Sequence, residues 1–279
     1  MAYKNLLTVL TALEGLEPTL RAAVELARRE GAHLDVLCLG IDRTQAGYYY
    51  AGATVMLQQE LIDRAKAEAE EIETKVREVL GSEDISWGVD AAVAQIGGLG
   101  AIVALRARFS DLVVLPQPYG EGRGQEDEAV VEAAMFDGQA PVLVLPEGGL
   151  GETLGKRIVV AWNQSSEALA AIRRALPMLK AADTVNIVVV DPPQHGPERS
   201  DPGGALSQML ARHGVRSEVS VLAKTMPKVS EVLKRHLRDQ NADMLVMGAY
   251  GHSRFREAIL GGATRAMLEG AEVPVFMAH

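Results

Sequence analysis

The sequence contains a single cysteine, Cys38, among 279 residues. One thiol excludes an intrachain disulfide and a multi-cysteine metal site. Set within Leu37-Cys38-Leu39, it reads as a small core side chain. Aromatic residues are scarce too, at 4%, which disfavours the base-stacking platforms of single-strand binders. There is no basic run, and the net charge is −9, a sign that argues against binding the phosphate backbone of nucleic acid. No apolar run approaches the roughly 20 residues that span a bilayer. Met1-Ala2-Tyr3-Lys4 lacks the basic start and apolar core of a secretory leader, so a cytoplasmic protein is expected. The six histidines are scattered without metal-ligand spacing, and no metal site is expected.

What is present is a globular composition: 48% hydrophobic residues leave ample material for a core, and 23% charged residues are too few for wholesale disorder. The length admits one large domain or two smaller ones. An internal repeat favours two. Ser110-Asp111-Leu112-Val113-Val114-Leu115 echoes Ala242-Asp243-Met244-Leu245-Val246-Met247, and Pro141-Val142-Leu143-Val144 echoes Pro274-Val275-Phe276-Met277 at nearly the same separation. Asn5 to Leu10 resembles Arg157 to Trp162 at a larger separation, as a longer middle helix in the first copy would produce. The sequence therefore divides into an N-terminal copy, 1–147, a glycine-rich linker, 148–156, and a C-terminal copy, 157–279.

Within each copy, short apolar runs alternate with helical patterns. The first copy predicts strands at Leu6–Leu10, Leu34–Leu39, Trp87–Val93, Leu112–Leu115 and Val142–Leu145. Helices are predicted at Pro18–Arg29, Val55–Leu80, Ile102–Phe109 and Ala129–Phe136. The second copy predicts strands at Ile158–Ala161, Val185–Val190, Glu218–Leu222, Met244–Met247 and Val273–Met277. Its helices fall at Ser166–Leu179, Ala205–His213, Lys228–Gln240 and Phe255–Glu269. Runs that are apolar throughout, rather than alternating, suit strands buried on both faces of a parallel sheet. The fold class is α/β: two tandem, doubly wound, five-stranded parallel-sheet domains.

The strongest chemical signal follows the fourth strand of the second copy: Gly248-Ala249-Tyr250-Gly251-His252-Ser253-Arg254, continuing to Gly261-Gly262-Ala263-Thr264. A glycine-rich turn leading from a buried strand to a helix presents backbone N–H groups with no Cβ in the way, a geometry suited to phosphate. The same spacing also suits a tight turn with a glycine helix–sheet contact. Other phosphate patterns fail: Gly155-Lys156 lacks the remainder of a P-loop, and Gly97-Gly98-Leu99-Gly100 does not complete a dinucleotide fingerprint.

The Gly-x2-Gly-x9-Gly spacing, together with the element order and tandem length, resembles the universal stress protein family. That resemblance implies a flavodoxin-like or Rossmann-like fold of the adenine nucleotide α-hydrolase type. It also implies ATP, with or without Mg2+, bound in the C-terminal copy. Gly248, Gly251 and Gly261 match the motif glycines. Gly262 stands where the family usually has Ser or Thr, which leaves the backbone of Gly262 and Ala263 and the hydroxyl of Thr264 as contacts. By the same resemblance Asn163 takes the place of a first-strand Asp, flanked by Ala161 and Trp162, while Val189 and Met247 pack on adenine. Arg254, and less so His252, could meet a phosphate or be merely solvated. Asn163 also suits a helix cap or turn, and Val189 and Met247 suit a plain core.

In the first copy, Pro116 and Pro118 supply no N–H, and Glu121, Glu126, Asp127 and Glu128 would repel a triphosphate, so no ATP is expected there. Tyr48-Tyr49-Tyr50 reads as a loop that packs or covers a cleft. The resemblance further implies a stress-response or signalling role. It implies internal pairing of Val142–Leu145 with Val273–Met277 in a pseudo-dimer, and it leaves a homodimer of whole chains open. No catalytic set emerges from spacing, so the chain is read as a non-enzyme; slow ATP hydrolysis and a nucleotide-free interaction module remain the alternatives.

Overall fold

Strands whose residues are apolar on both faces can be buried only between two helical layers. In the computed structural model, β1 (Asn5–Leu10), β4 (Leu112–Pro116), β6 (Arg157–Ala161) and β9 (Met244–Gly248) are enclosed along nearly their whole length. The structure describes residues 3–43, 55–120, 122–151, 153–192, 200–249 and 262–279, with the backbone alone at 55–58. Tyr48-Tyr49-Tyr50 lies outside the described residues.

The chain forms two compact units, Ala2–Ala140 and Pro141–His279. In the first, β1, β2 (His33–Asp42), β3 (Ser86–Gln95) and β4 are all parallel in the order β3-β2-β1-β4. Helices α1 (Leu16–Glu30), α2 (Val55–Leu80), α3 (Ile96–Ala107) and α4 (Gln125–Glu132) connect and follow them. A π turn at Ala133–Asp137 ends α4, closed by Gly138 N–H donating to the Ala133 carbonyl at 2.8 Å. In the second unit, β6, β7 (Thr184–Val190), β8 (Ser217–Leu222) and β9 repeat that arrangement in the order β9-β6-β7-β8. Here the helices are α5 (Ser166–Arg174), α6 (Leu176–Ala181), α7 (Gly204–Arg212), α8 (Val229–Asp239) and α9 (Ala263–Gly270). The last strand, β10 (Val275–Ala278), lies parallel to β9.

The division falls at Ala140, ahead of the glycine-rich stretch that the sequence assigns to the linker. The reason is β5 (Val142–Leu145), which pairs antiparallel with β10, Leu143 opposite Phe276. The apolar edge of β10 is thereby covered by the strand pair that the family resemblance implies. Nor is the stretch before β6 a free tether, since Thr153 Oγ1 donates to Asp243 Oδ2 at 2.8 Å.

One predicted helix divides for a local reason, while α3 and α4 begin earlier than their patterns predict, at Ile96 and Gln125. The helix expected over Ser166–Leu179 breaks after Arg174, because Pro177 has no N–H to donate into the preceding turn. The strands β3 and β8, each with a paired neighbour on one side, are less enclosed than the rest, and Val221 is 52% exposed. Cys38 is fully enclosed on β2, and burial pushes its thiol up to about 12, so it serves as a packing residue.

The repeated Ser/Ala-Asp-hydrophobe motif has a physical cause. Asp111 Oδ2 accepts the N–H groups of Lys4 and Asn5 at 2.7 and 3.0 Å. Asp243 accepts those of Arg157 and Lys156 at 2.9 and 3.0 Å. Each aspartate staples the start of the fourth strand to the start of the first, using charge-assisted bonds that are stronger than neutral ones. Asp243→Ala should lower stability by about 1–3 kcal/mol in a urea melt of the full chain.

A buried polar chain lies behind α8. His236 Nε2 meets Asn186 Oδ1 at 2.8 Å, and Asn186 Nδ2 donates to Ser220 Oγ at 2.9 Å. Burial lowers the His236 pKa, and the charge of Asp239 opposes that only in part. Because the unfolded chain then binds the proton more tightly, stability is retained above the ordinary histidine value and falls as the pH drops through it. Thermal melts from pH 7.5 to 5 should show that fall, and His236→Gln should remove part of it.

Candidate functional site

In an open parallel sheet, loops that leave neighbouring strands in opposite directions open a crevice at the carboxyl ends. In the second unit this reversal falls between β6 and β9, paired from Ile158 opposite Met244 to Val160 opposite Val246. Three segments converge there: the residues after β6, the glycine that ends β9, and the amino end of α9. The last follows from topology, since α9 leads from the carboxyl end of β9 back to the start of a strand parallel to it.

Gly248 sits at the centre of that junction. A Cβ added there would lie 2.4 Å from the Ala168 backbone nitrogen and 2.7 Å from the Glu167 carbonyl carbon. The glycine therefore lets the first turn of α5 rest directly on the end of β9. Its side-chain-free surface is used for helix–strand contact, one of the two roles that the spacing allows. Ala249 continues the strand line, donating to the Ala278 carbonyl at 3.0 Å and accepting from His279 Nδ1 at 3.0 Å.

Ala161, which ends β6, is half-buried, and Trp162 after it is 8% exposed with its backbone N–H on the Val188 carbonyl at 2.9 Å. Asn163 is exposed, and its Oδ1 accepts from Ser165 N–H at 3.2 Å, closing the turn into α5. Ser165 caps that helix, its Oγ accepting from Ala168 N–H at 3.1 Å. Val189, at the end of β7, and Met247, on β9, are buried among the core side chains. At α9, Gly262 is the N-cap and brings no side-chain oxygen to the first turn, which contains no acidic residue. Ala263 is half-buried, and Thr264 is enclosed, turned toward protein. Gly251, Arg254, Gly261 and His252 lie outside the described residues. The structure thus brings Ala161, Trp162, Asn163, Gly248, Gly262 and Ala263 to one end of the sheet, with Val189 and Met247 beneath.

Spacing did not single out Glu167. Its carboxyl is held below the usual carboxylate range, first by a hydrogen bond to its own backbone, against slight burial, with help from the Ser165 and Ser166 hydroxyls and the charge of His279. The run Ser165-Ser166-Glu167, an N-cap followed by an acid in the first turn, was the available signal. Among the described residues, no group of three His, Cys, Asp or Glu side chains is placed to hold a metal ion, and no helix is long and apolar enough to cross a membrane.

A family model described as "Universal stress protein family" matches residues 155–279, the half that holds this junction. That half is a universal stress protein domain. Universal stress protein Slr1230 of Synechocystis sp. is 31% identical over 91 residues, covering 33% of this chain and 31% of that protein. The match thus spans about a third of the curated relative. A universal stress protein from Archaeoglobus fulgidus DSM 4304 superposes with a TM-score of 0.75 at 17% identity, over 98% of this chain and 95% of that one. The fold of a universal stress protein therefore extends along nearly the whole chain. A shorter Archaeoglobus fulgidus universal stress protein, solved in complex with dAMP, aligns to 52% of this chain at a TM-score of 0.35 and 17% identity. That likeness is too slight to carry a ligand across, so any ligand must be argued from this chain's own residues.

The close approach at Gly248 gives a direct check on the domain. Gly248→Ala should cost about 1–3 kcal/mol by overpacking α5 against β9, read as a lower denaturation midpoint at unchanged slope.

Proposed function

We propose that the C-terminal universal stress domain binds an adenine nucleotide, ATP, and uses it as a signal in a stress response rather than as fuel for rapid chemistry. The observation that carries the reading is the pairing of sequence and place. The Gly-x2-Gly-x9-Gly run begins at Gly248, where strand order reverses, and Gly262, the residue after its last glycine, opens a helix whose first turn has neither a capping side chain nor an acidic residue. A helix start leaves backbone amides without intrahelical acceptors and carries partial positive charge, a fit for phosphate. Asn163 is exposed just past β6, and its amide can donate as well as accept toward a ribose or base. Val189 and Met247, near the ends of β7 and β9, and Trp162, just past β6, are buried at that end of the sheet. The chain acts in a soluble setting, the cytoplasm, and the nucleotide reports to a partner protein.

A second reading has its own support. Thr264 is buried, Asn163 is engaged in the turn before α5, and Gly248 is used for packing. Those features also fit a domain that has given up its ligand and works as an interaction module. Calorimetry of ATP into the intact chain separates the two, with Gly251→Val as the comparison. The expected result is saturable heat with the unmodified chain and none with the variant. No saturable heat at millimolar ATP overturns nucleotide binding in favour of the interaction module. Turnover of labelled ATP clearly above a protein-free blank would assign the chain a slow ATPase activity instead.

A further inference from the structure

The first unit has the same strand reversal, between β1 and β4, but a different occupant at its carboxyl end. Three successive acidic residues form the first turn of α4, and each is tied to a different part of the crevice. Asp127, 8% exposed, accepts from Thr11 Oγ1, just past β1, at 3.0 Å. Its second oxygen accepts from Gly124 N–H at 2.9 Å, and Arg123 Nη1 stands 3.8 Å away. Glu126 takes two N–H groups of Arg43, just past β2, at 2.6 and 3.2 Å. Glu128 accepts from Tyr119 OH, just past β4, at 2.7 Å.

The loops on either side are also pressed together. A Cβ built at Gly122 would lie 2.7 Å from Glu14 Oε2, and one at Gly15 would lie 2.8 Å from Arg123 Nη2. Both glycines have positive φ, 74° and 70°, so the backbone disfavours a side chain at either, while the atoms it would meet are the mobile ends of Glu14 and Arg123. The loop after β1 and the loop after β4 therefore meet across the reversal, where the second unit has Asn163 and Gly248.

The electrostatics agree with this closure. Partial burial alone would raise the Glu126 carboxyl, but the Arg43 hydrogen bond, its own backbone and the Arg43 charge outweigh it and hold it below the usual carboxylate range. Two donors meet the buried Asp127 carboxylate, the Thr11 hydroxyl from the loop past β1 and the Gly124 N–H, the latter as the reciprocal bond of a capping box, with the Arg123 guanidinium 3.8 Å away; a hydroxyl and a backbone N–H are also donors expected around a bound oxyanion.

We propose that the first turn of α4 is a carboxylate latch, in which Asp127 occupies the oxyanion position of the N-terminal copy as an internal ligand and shuts its crevice to anionic ligands. The latch keeps one copy permanently in a liganded arrangement, whatever the second copy binds. It does not rest on nucleotide binding by the C-terminal copy, whose residues every protein in the test leaves unchanged.

The test is chemical rescue in the full chain. Asp127→Gly removes the carboxylate and leaves its space, while Asp127→Asn removes the charge and keeps the space filled. Thermal melts are compared in sodium formate and in sodium chloride of equal ionic strength. Formate should raise the midpoint of Asp127→Gly by about 2–4 °C more than chloride does. It should do no more than chloride for the unmodified chain or for Asp127→Asn. Equal formate effects on all three proteins would make Asp127 an ordinary helix cap and overturn the proposal. If Asp127→Gly fails to fold, hydrogen exchange on Thr11→Val decides. Loss of that hydroxyl should speed exchange of the Gly124 amide several-fold, and an unchanged rate refutes the latch.

Discussion

Everything at the carboxyl ends of the strands depends on one pairing made twice, β1 beside β4 and β6 beside β9. Each pair is parallel and enclosed on both faces, so its loops must leave toward opposite layers of helix. That divergence creates a crevice whether or not anything binds there. The aspartates Asp111 and Asp243 hold each pair in register from the opposite end, by fixing the start of the first strand to the start of the fourth. With the amino ends fixed, the two carboxyl ends are free to differ.

They differ by a few residues of opposite character. In the second unit, β9 ends in glycine and α9 begins with Gly262 and no acid, a setting favourable to an anion. In the first, β4 ends in proline and α4 begins with three carboxylates, each engaged. One scaffold thus carries an end whose helix starts without acid and an end whose helix starts with three acids. The chain's net acidity, which excludes little by itself, gains a local meaning at α4.

The fold was largely legible because buried parallel strands leave a plain record. Val142–Leu145 and Leu112–Leu115 are apolar at every position, and the structure makes both of them strands, the first with the same bounds and the second extended to Pro116. The single helix expected over Ser166–Leu179 failed as one element because a proline effect is local and outweighs a good periodicity. The candidate site was less legible. Gly248 was read as a phosphate-loop glycine or a packing glycine, and only the 2.4 Å approach of the Ala168 nitrogen shows the packing role in use. Thr264 promised a hydroxyl to the crevice, yet it is enclosed at the start of α9, since a sequence position does not state which way a side chain on the first turn points.

The sequence by itself determined the alternation of strands and helices, the internal repeat, the place of the glycine motif and the acidic run that replaces it. These are local matters, written in periodicity and in residues with special backbones. The tertiary structure alone shows that Asp127 turns inward to Thr11 and Gly124, and that the compact division falls at Ala140, ahead of β5 rather than after it. Both outcomes depend on residues far apart in the chain meeting across a strand pair, and no pattern within a single segment records which partner a carboxylate or a strand edge will find.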